Sequence, residues 1–237
     1  MRARTYLSDQ RSDAQLNKAP AAIMTGAERA WAAVGVAALA GGAALLAAAR
    51  GAGPLWGEDE AVRWMQGQPG SVTVARVIRW LTSTEPVTAA GLLAAATARM
   101  RGATRLAMVT AVLFFALPLV QTGLKEVATR PRPEPPAVEL RAGFSSPSFP
   151  AGHAMSGMVG YGWAWAVAAR SPLPRAARRC VGAACAGVIA GTAWANLWTG
   201  VHWPTDIAGG FAWGVALLAL AALAWRPGRR PARDGAS

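Results

Sequence analysis

Hydrophobic and polar positions in this chain come in blocks rather than in fine alternation. Uncharged apolar runs occupy residues 30–49, 106–124 and 180–201. Each is close to the roughly 20 residues that a helix rising about 1.5 Å per residue needs to cross about 30 Å of hydrocarbon. Two more runs, 150–169 and 207–225, reach that length when the polar residues at their mouths lie in the interfacial region. A sixth, 81–98, is interrupted by Glu85. The pattern predicts an all-α integral membrane protein of about six transmembrane helices. It divides the chain into a tail over 1–29, a membrane domain over 30–225 and a second tail over 226–237. The first run is longer than the roughly 7–15-residue core of a signal peptide, and acidic residues precede it, so it is read as a retained helix. Residues 58–80 mix charges with Val62, Trp64, Val77 and Trp80. This segment is expected to form an amphipathic helix at the outer interface, broken near Pro69 and Gly70, acting as a connector or a lid.

Composition agrees: 53% of residues are hydrophobic and 15% charged, which excludes disordered and disulfide-rich classes. The net charge of +12 would fit nucleic acid only if the basic residues shared one face, and they lie instead between the apolar runs. The tails and the 2–3 and 4–5 loops hold sixteen Lys and Arg, and the opposite set of loops holds eight. Both termini are therefore expected in the cytoplasm and the 1–2, 3–4 and 5–6 loops outside. A bacterial plasma membrane suits the Ala-, Gly- and Arg-rich composition. Cys180 and Cys185 are five apart on one helix, so neither a disulfide nor a metal site is expected. Tryptophans such as Trp163 and Trp194 are read as packing residues in preference to binding sites for an isoprenoid chain.

The outer loops carry the chemistry. Lys125, Arg130 and Arg132 follow the third run, His153 stands at the mouth of the fourth after Ala151 and Gly152, and His202 precedes Asp206 at the mouth of the sixth. Cations kept on the outer side against the charge bias suit an anionic oxygen cluster such as a phosphoryl group. One histidine can attack phosphorus and the other protonate the leaving oxygen, with Asp206 fixing the imidazole tautomer. Gly152 lets backbone N–H groups at a helix start approach a phosphate oxygen. No step requires a metal or another cofactor. Each residue also has a plainer reading: Lys125 and Arg132 as interfacial anchors, His153 as a helix-start polar residue, and His202 with Asp206 as an i, i+4 pair.

Together, in this order and spacing, the segments resemble the type-2 phosphatidic acid phosphatase superfamily. Its first motif, K-x6-R-P, is matched by Lys125, Arg132 and Pro133. The second, P-S-G-H, reads Pro150, Ala151, Gly152 and His153, with alanine for serine. The third, S-R-x5-H-x3-D, reads Ala195, Asn196, His202 and Asp206, with serine and arginine both replaced. The resemblance implies a six-helix fold with His202 as nucleophile, Asp206 as its orienter, His153 as general acid, and Lys125 and Arg132 as phosphate ligands. Ala151, Gly152 and Asn196 would complete the phosphate site. Asn196 in place of arginine loses a charge and a forked donor; Arg130 or Arg141, in the same outer loop, is a candidate compensation, although a surface or lipid-headgroup role is the preferred reading of each. The implied activity is metal-independent hydrolysis of a lipid phosphate or diphosphate at the outer face, on a polyprenyl carrier, phosphatidate or phosphatidylglycerophosphate. The alternatives are a catalytically impaired lipid-phosphate binder and a phosphoryl transferase to an alcohol. The partners expected are the lipid substrate and the bilayer, with no nucleic acid and no identifiable protein partner.

Overall fold

The computed structural model describes residues 24–225. The basic residues of the two tails that lie before and after this range, on which the orientation argument partly draws, fall outside the described residues. Eight helices and no strand occur among the described residues. Six are long: α1 (Gly26–Ala49), α4 (Thr84–Met100), α5 (Thr104–Ala128), α6 (Gly152–Ala169), α7 (Arg175–Trp198) and α8 (Pro204–Ala224). Between α1 and α4 lie two short helices, α2 (Glu58–Gln66) and α3 (Val72–Leu81). Four helices, α1, α5, α7 and α8, are long and apolar enough to cross a membrane. The amphipathic segment is thus two helices, broken at the Pro69 and Gly70 anticipated from the sequence.

Local signals account for the ends. Thr25 and Glu28 exchange backbone-to-side-chain bonds at the start of α1, a reciprocal cap that satisfies two orphan N–H groups. Ser71 caps α3 by accepting from the Val74 N–H. The helix after residue 200 starts at Pro204, and Asp206 in its first turn accepts the Trp203 N–H at 2.8 Å. α5 runs past the expected end at 124 as far as Ala128, so Lys125 is a helical residue of its last turn.

Helices pack through small residues, as lipid-embedded helices do in the absence of a hydrophobic driving force between them. One close crossing joins α6 to α8: a Cβ on Gly210 would lie 2.6 Å from the Ala151 carbonyl, and one on Gly214 would lie 2.8 Å from Met158. Only glycine allows that approach, which brings the starts of α6 and α8 side by side. The core between α4, α5, α6 and α8 is built from Val87, Leu113, Phe114, Leu117, Met155, Val159 and Leu218. Outward positions such as Val36, Leu93, Val112, Phe115 and Leu220 are exposed and apolar, the surface expected where the solvent is hydrocarbon.

α3 lies on α7, with Ala75 against Ala195 and Trp198, and Ile78 against Gly191. This docking places the connector between α1 and α4 over the same end of the bundle as the α5–α6 and α7–α8 loops.

Candidate active site

The ends of α3 and α5, the starts of α4 and α6, and the loops after α5 and α7 surround a polar cavity of about 420 Å³, lined by Arg79, Ser83, Lys125, Arg132, Gly152, His153 and His202 among others. Each side chain is delivered by a different local device. α7 stops at Thr199, and Gly200 takes a left-handed φ of 70° that an L side chain rarely adopts; a Cβ there would also meet the Glu139 carbonyl at 2.3 Å. The turn aims His202 back into the cavity. α6 begins at Gly152, so its N-terminal turn and His153 face the same space. Lys125 comes from the last turn of α5, with Nζ donating to the Pro147 carbonyl at 2.6 Å. Arg132 is braced by the carbonyls of Ser146 at 2.8 Å and Val201 at 2.7 Å.

The imidazole of His202 is set between a carboxylate and a cation. Nδ1 faces Asp206 Oδ2 at 3.4 Å, and Arg132 Nη1 faces Nε2 at 3.2 Å. A guanidinium only donates and a carboxylate only accepts, so the proton sits on Nδ1 and the Nε2 lone pair accepts from Arg132 at the cavity wall. Burial pushes the His202 pKa down to about 3, with the Arg132 charge adding to the shift and Asp206 opposing it, so the ring is neutral near pH 7. Arg132 is itself lowered by burial to about 10 and stays charged.

Asp206 is fully buried and accepts from Arg130 Nη1 at 2.7 Å, the Trp203 N–H at 2.8 Å, His202 and the Ser148 hydroxyl. Such a set favours the carboxylate over the acid. Across the cavity, Ser83 Oγ donates to the Arg79 carbonyl at 2.8 Å and faces His153 Nε2 at 3.4 Å. With the hydroxyl hydrogen committed, that contact has the ring N–H donating, which leaves His153 a proton on Nε2. The floor is a polar cluster in which Thr84 donates to Gln121 at 2.8 Å and Gln121 donates to Ser156 at 2.9 Å and to the Gly152 carbonyl at 3.1 Å.

Of the residues singled out from the sequence, Lys125, Arg132, Gly152, His153 and His202 line one cavity, with Asp206 behind His202. The others are placed elsewhere. Ala151 has its side chain packed with Ala154 and Ile207, and its N–H is donated to the Asp206 carbonyl at 2.9 Å. Asn196 is buried behind the lining, its Nδ2 donating to the Thr192 carbonyl at 2.8 Å and its Oδ1 accepting from Arg79. Arg130, a candidate replacement cation, is 1% exposed and spans Glu58 at 2.5 Å and Asp206 at 2.7 Å. Arg141, the other candidate replacement, pairs with Glu139 at 2.7 Å and lies over the Trp198 ring at 4.2 Å. Both guanidiniums already have partners and neither lines the cavity. Arg79 and Glu58 were not among the residues singled out. The available signal for Arg79 was its place on the inward stripe of an amphipathic helix, four residues after buried Ala75.

The family model of the PAP2 superfamily matches residues 103–230, more than half the chain. The chain belongs to the PAP2 superfamily. A solved transmembrane PAP2-type phosphatidylglycerolphosphate phosphatase from Bacillus subtilis shares the fold, with a TM-score of 0.66 at 22% identity over 79% of this chain and 94% of that one. No curated protein sequence matches the chain. The all-helical architecture is thus a transmembrane PAP2-type phosphatase fold, and the protein is a membrane protein of that class.

Proposed function

We propose that this PAP2 protein hydrolyses a lipid phosphate or diphosphate without a metal ion, through a phosphohistidine on His202. The observation that carries the reading is the unprotonated Nε2 of a neutral His202 at the wall of a cavity that also holds Lys125, Arg132 and His153; Arg132, which donates to that nitrogen here, turns to the phosphoryl oxygens as the substrate enters. The Nε2 atom attacks phosphorus as the bond to the lipid oxygen breaks; His153, carrying a proton on each ring nitrogen once the phosphate dianion offsets the surrounding cations, gives its Nε2 proton to that leaving oxygen and is left as the neutral ring. Lys125 and Arg132 hold the phosphoryl oxygens while charge builds on them. Water then attacks the phosphorus of the phosphohistidine and passes a proton to His153, which releases phosphate and restores both rings. Asp206 keeps the Nδ1 proton of His202 in place throughout, and takes up the charge of the imidazolium by its proximity.

A lipid substrate is supported by a second cavity of about 490 Å³ between α4, α5 and α6, lined by Trp80, Leu81, Val87, Ala94, Phe114 and Trp163 among others. Its lining is apolar, and Leu81 and Val87 flank in sequence the Ser83 and Thr84 that line the polar cavity. A head group in one and a hydrocarbon chain in the other fits an amphiphile in the bilayer. The distribution of basic residues supports six membrane crossings over 30–225, cytoplasmic tails over 1–29 and 226–237, and a site on the extracytoplasmic side of a bacterial plasma membrane.

The test is phosphate release by the detergent-purified chain, in EDTA, from long-chain phosphatidate, phosphatidylglycerophosphate and undecaprenyl diphosphate, set against a short-chain phosphate ester. Ala94→Phe, which fills the apolar groove, is expected to raise KM for the long-chain lipids about tenfold, the equivalent of two methylenes out of contact, and to leave the short ester unchanged. Equal effects on both substrates would remove the groove from the account.

A further inference from the structure

A third half-buried cation faces the cavity from outside every motif of the sequence. Arg79 sits in the last turns of α3, and its Nη1 donates to Asn196 Oδ1. Asn196 is itself oriented, because its Nδ2 donates to the Thr192 carbonyl at 2.8 Å within α7. The amide oxygen therefore has one direction available, toward the guanidinium. No carboxylate pairs with Arg79 among the described residues, although Arg130 has two and Arg141 has one. A half-buried guanidinium with no carboxylate partner carries a partial desolvation cost, which an anion in the cavity would offset. The cavity it lines also holds Lys125 and Arg132, which repel it, and one carboxylate, Glu85 at the start of α4, which forms no ion pair with any of the three. Three cations converging on one small space fit a group with more than one negative charge.

We propose that Arg79 binds the substrate phosphate and that Asn196 is its positioning residue, so that an arginine on α3 supplies the charge missing from position 196 on α7. The proposal rests on the phosphatase reading above for the identity of the anion. It also gives the α2–α3 connector a part in the chemistry beyond linking α1 to α4. The substitution at 196 is then a relocation of the cation: an amide is short enough to stand behind Arg79 and has the acceptor that an arginine lacks.

The experiment measures inorganic phosphate binding by calorimetry, and kcat/KM for lipid hydrolysis, on the full chain in detergent. Arg79→Ala is expected to weaken phosphate binding roughly 10–100-fold, the loss of a charge-assisted hydrogen bond, and to lower kcat/KM by about 10²–10³-fold. Arg79→Lys retains the charge and recovers part of both; it stands in should the alanine variant fail to fold, as judged by thermal midpoint and elution volume. Arg76→Ala removes an equal charge from the exposed side of the same helix and leaves phosphate binding within about twofold of the parent. Asn196→Ala is expected to cost about 3–10-fold in phosphate affinity in the parent, and nothing further when Arg79 is already alanine. Additive losses would overturn the positioning role. Parent-like binding and turnover in both Arg79 variants, with binding lost in Lys125→Ala, would overturn the Arg79 assignment and leave the phosphatase reading intact. Absence of phosphate binding and of hydrolysis in the parent itself would overturn both.

Discussion

His202→Ala lowers phosphate release from every lipid substrate by about 10⁴-fold or more, down to the uncatalysed background, with little change in how the protein folds. The magnitude follows from the role: no other side chain in the cavity presents an oriented, unprotonated nitrogen, since His153 has its Nε2 proton directed at Ser83. Removal of the general acid or of one cation leaves a slow enzyme, whereas removal of the nucleophile leaves the covalent route without its first step. The same substitution has a signature in stability. His202 has a pKa of about 3 in the folded protein against an ordinary value of 6.5, so the unfolded chain binds the extra proton in between. The parent therefore loses stability as pH falls from about 6.5 to about 3, and His202→Ala flattens that part of the curve. Thermal midpoints in detergent across that range measure it; identical slopes in parent and variant would show that the imidazole is not held neutral by burial.

Arg130→Met produces the largest loss of stability among single substitutions near the site. Arg130 is a strut: one side of the fork holds Glu58 at 2.5 Å, the other Asp206 at 2.7 Å and the Thr205 hydroxyl at 2.6 Å, and further donors reach the carbonyls of Gly53 at 3.0 Å and Ala52 at 3.4 Å. Glu58 in turn accepts from the backbone and hydroxyl of Thr205 and from the Leu55 N–H. The network joins the start of α2, the α5–α6 loop and the start of α8. Removing the cation leaves two buried carboxylates unpaired, at a cost of about 3–5 kcal/mol. Lysine does not rescue it, because a single ammonium cannot reproduce a planar fork between two carboxylates. Activity falls with stability, since Asp206 loses the donor that fixes it behind His202. Adding Glu58→Gln to Arg130→Met recovers part of the midpoint by removing one orphaned charge. A midpoint unmoved by Arg130→Met would mean that the network contributes nothing net to the fold.

The contrast between Arg130 and Arg79 shows what was legible in the sequence. The long helices were visible because hydrocarbon demands long uncharged runs, and their ends moved by only a few residues; α5, for example, extends to Ala128 because Lys125 and Glu126 continue its last turn. The grouping of Lys125, Arg132, His153, His202 and Asp206 was visible because motif spacing survives in the chain. Which arginine faces the cavity was not visible, because it depends on tertiary approach. Arg130 stands two residues from Arg132 and is aimed at buried carboxylates, whereas Arg79 lies in a connector and reaches the cavity only because Ala75 and Ile78 seat α3 on α7. Ala151 was also opaque: its neighbours Ala154 and Ile207 explain why a methyl suffices there.

The proposed mechanism turns on a covalent bond between His202 Nε2 and phosphorus. Its most direct test is rapid quenching of the protein with phosphatidylglycerophosphate carrying ³²P in the terminal phosphate, followed by peptide mapping under alkaline conditions that preserve phosphohistidine. The account predicts acid-labile, base-stable label on the peptide containing His202, absent from His202→Ala. Label on another residue, or hydrolysis at full rate with no labelled protein under conditions that trap the burst, would contradict it.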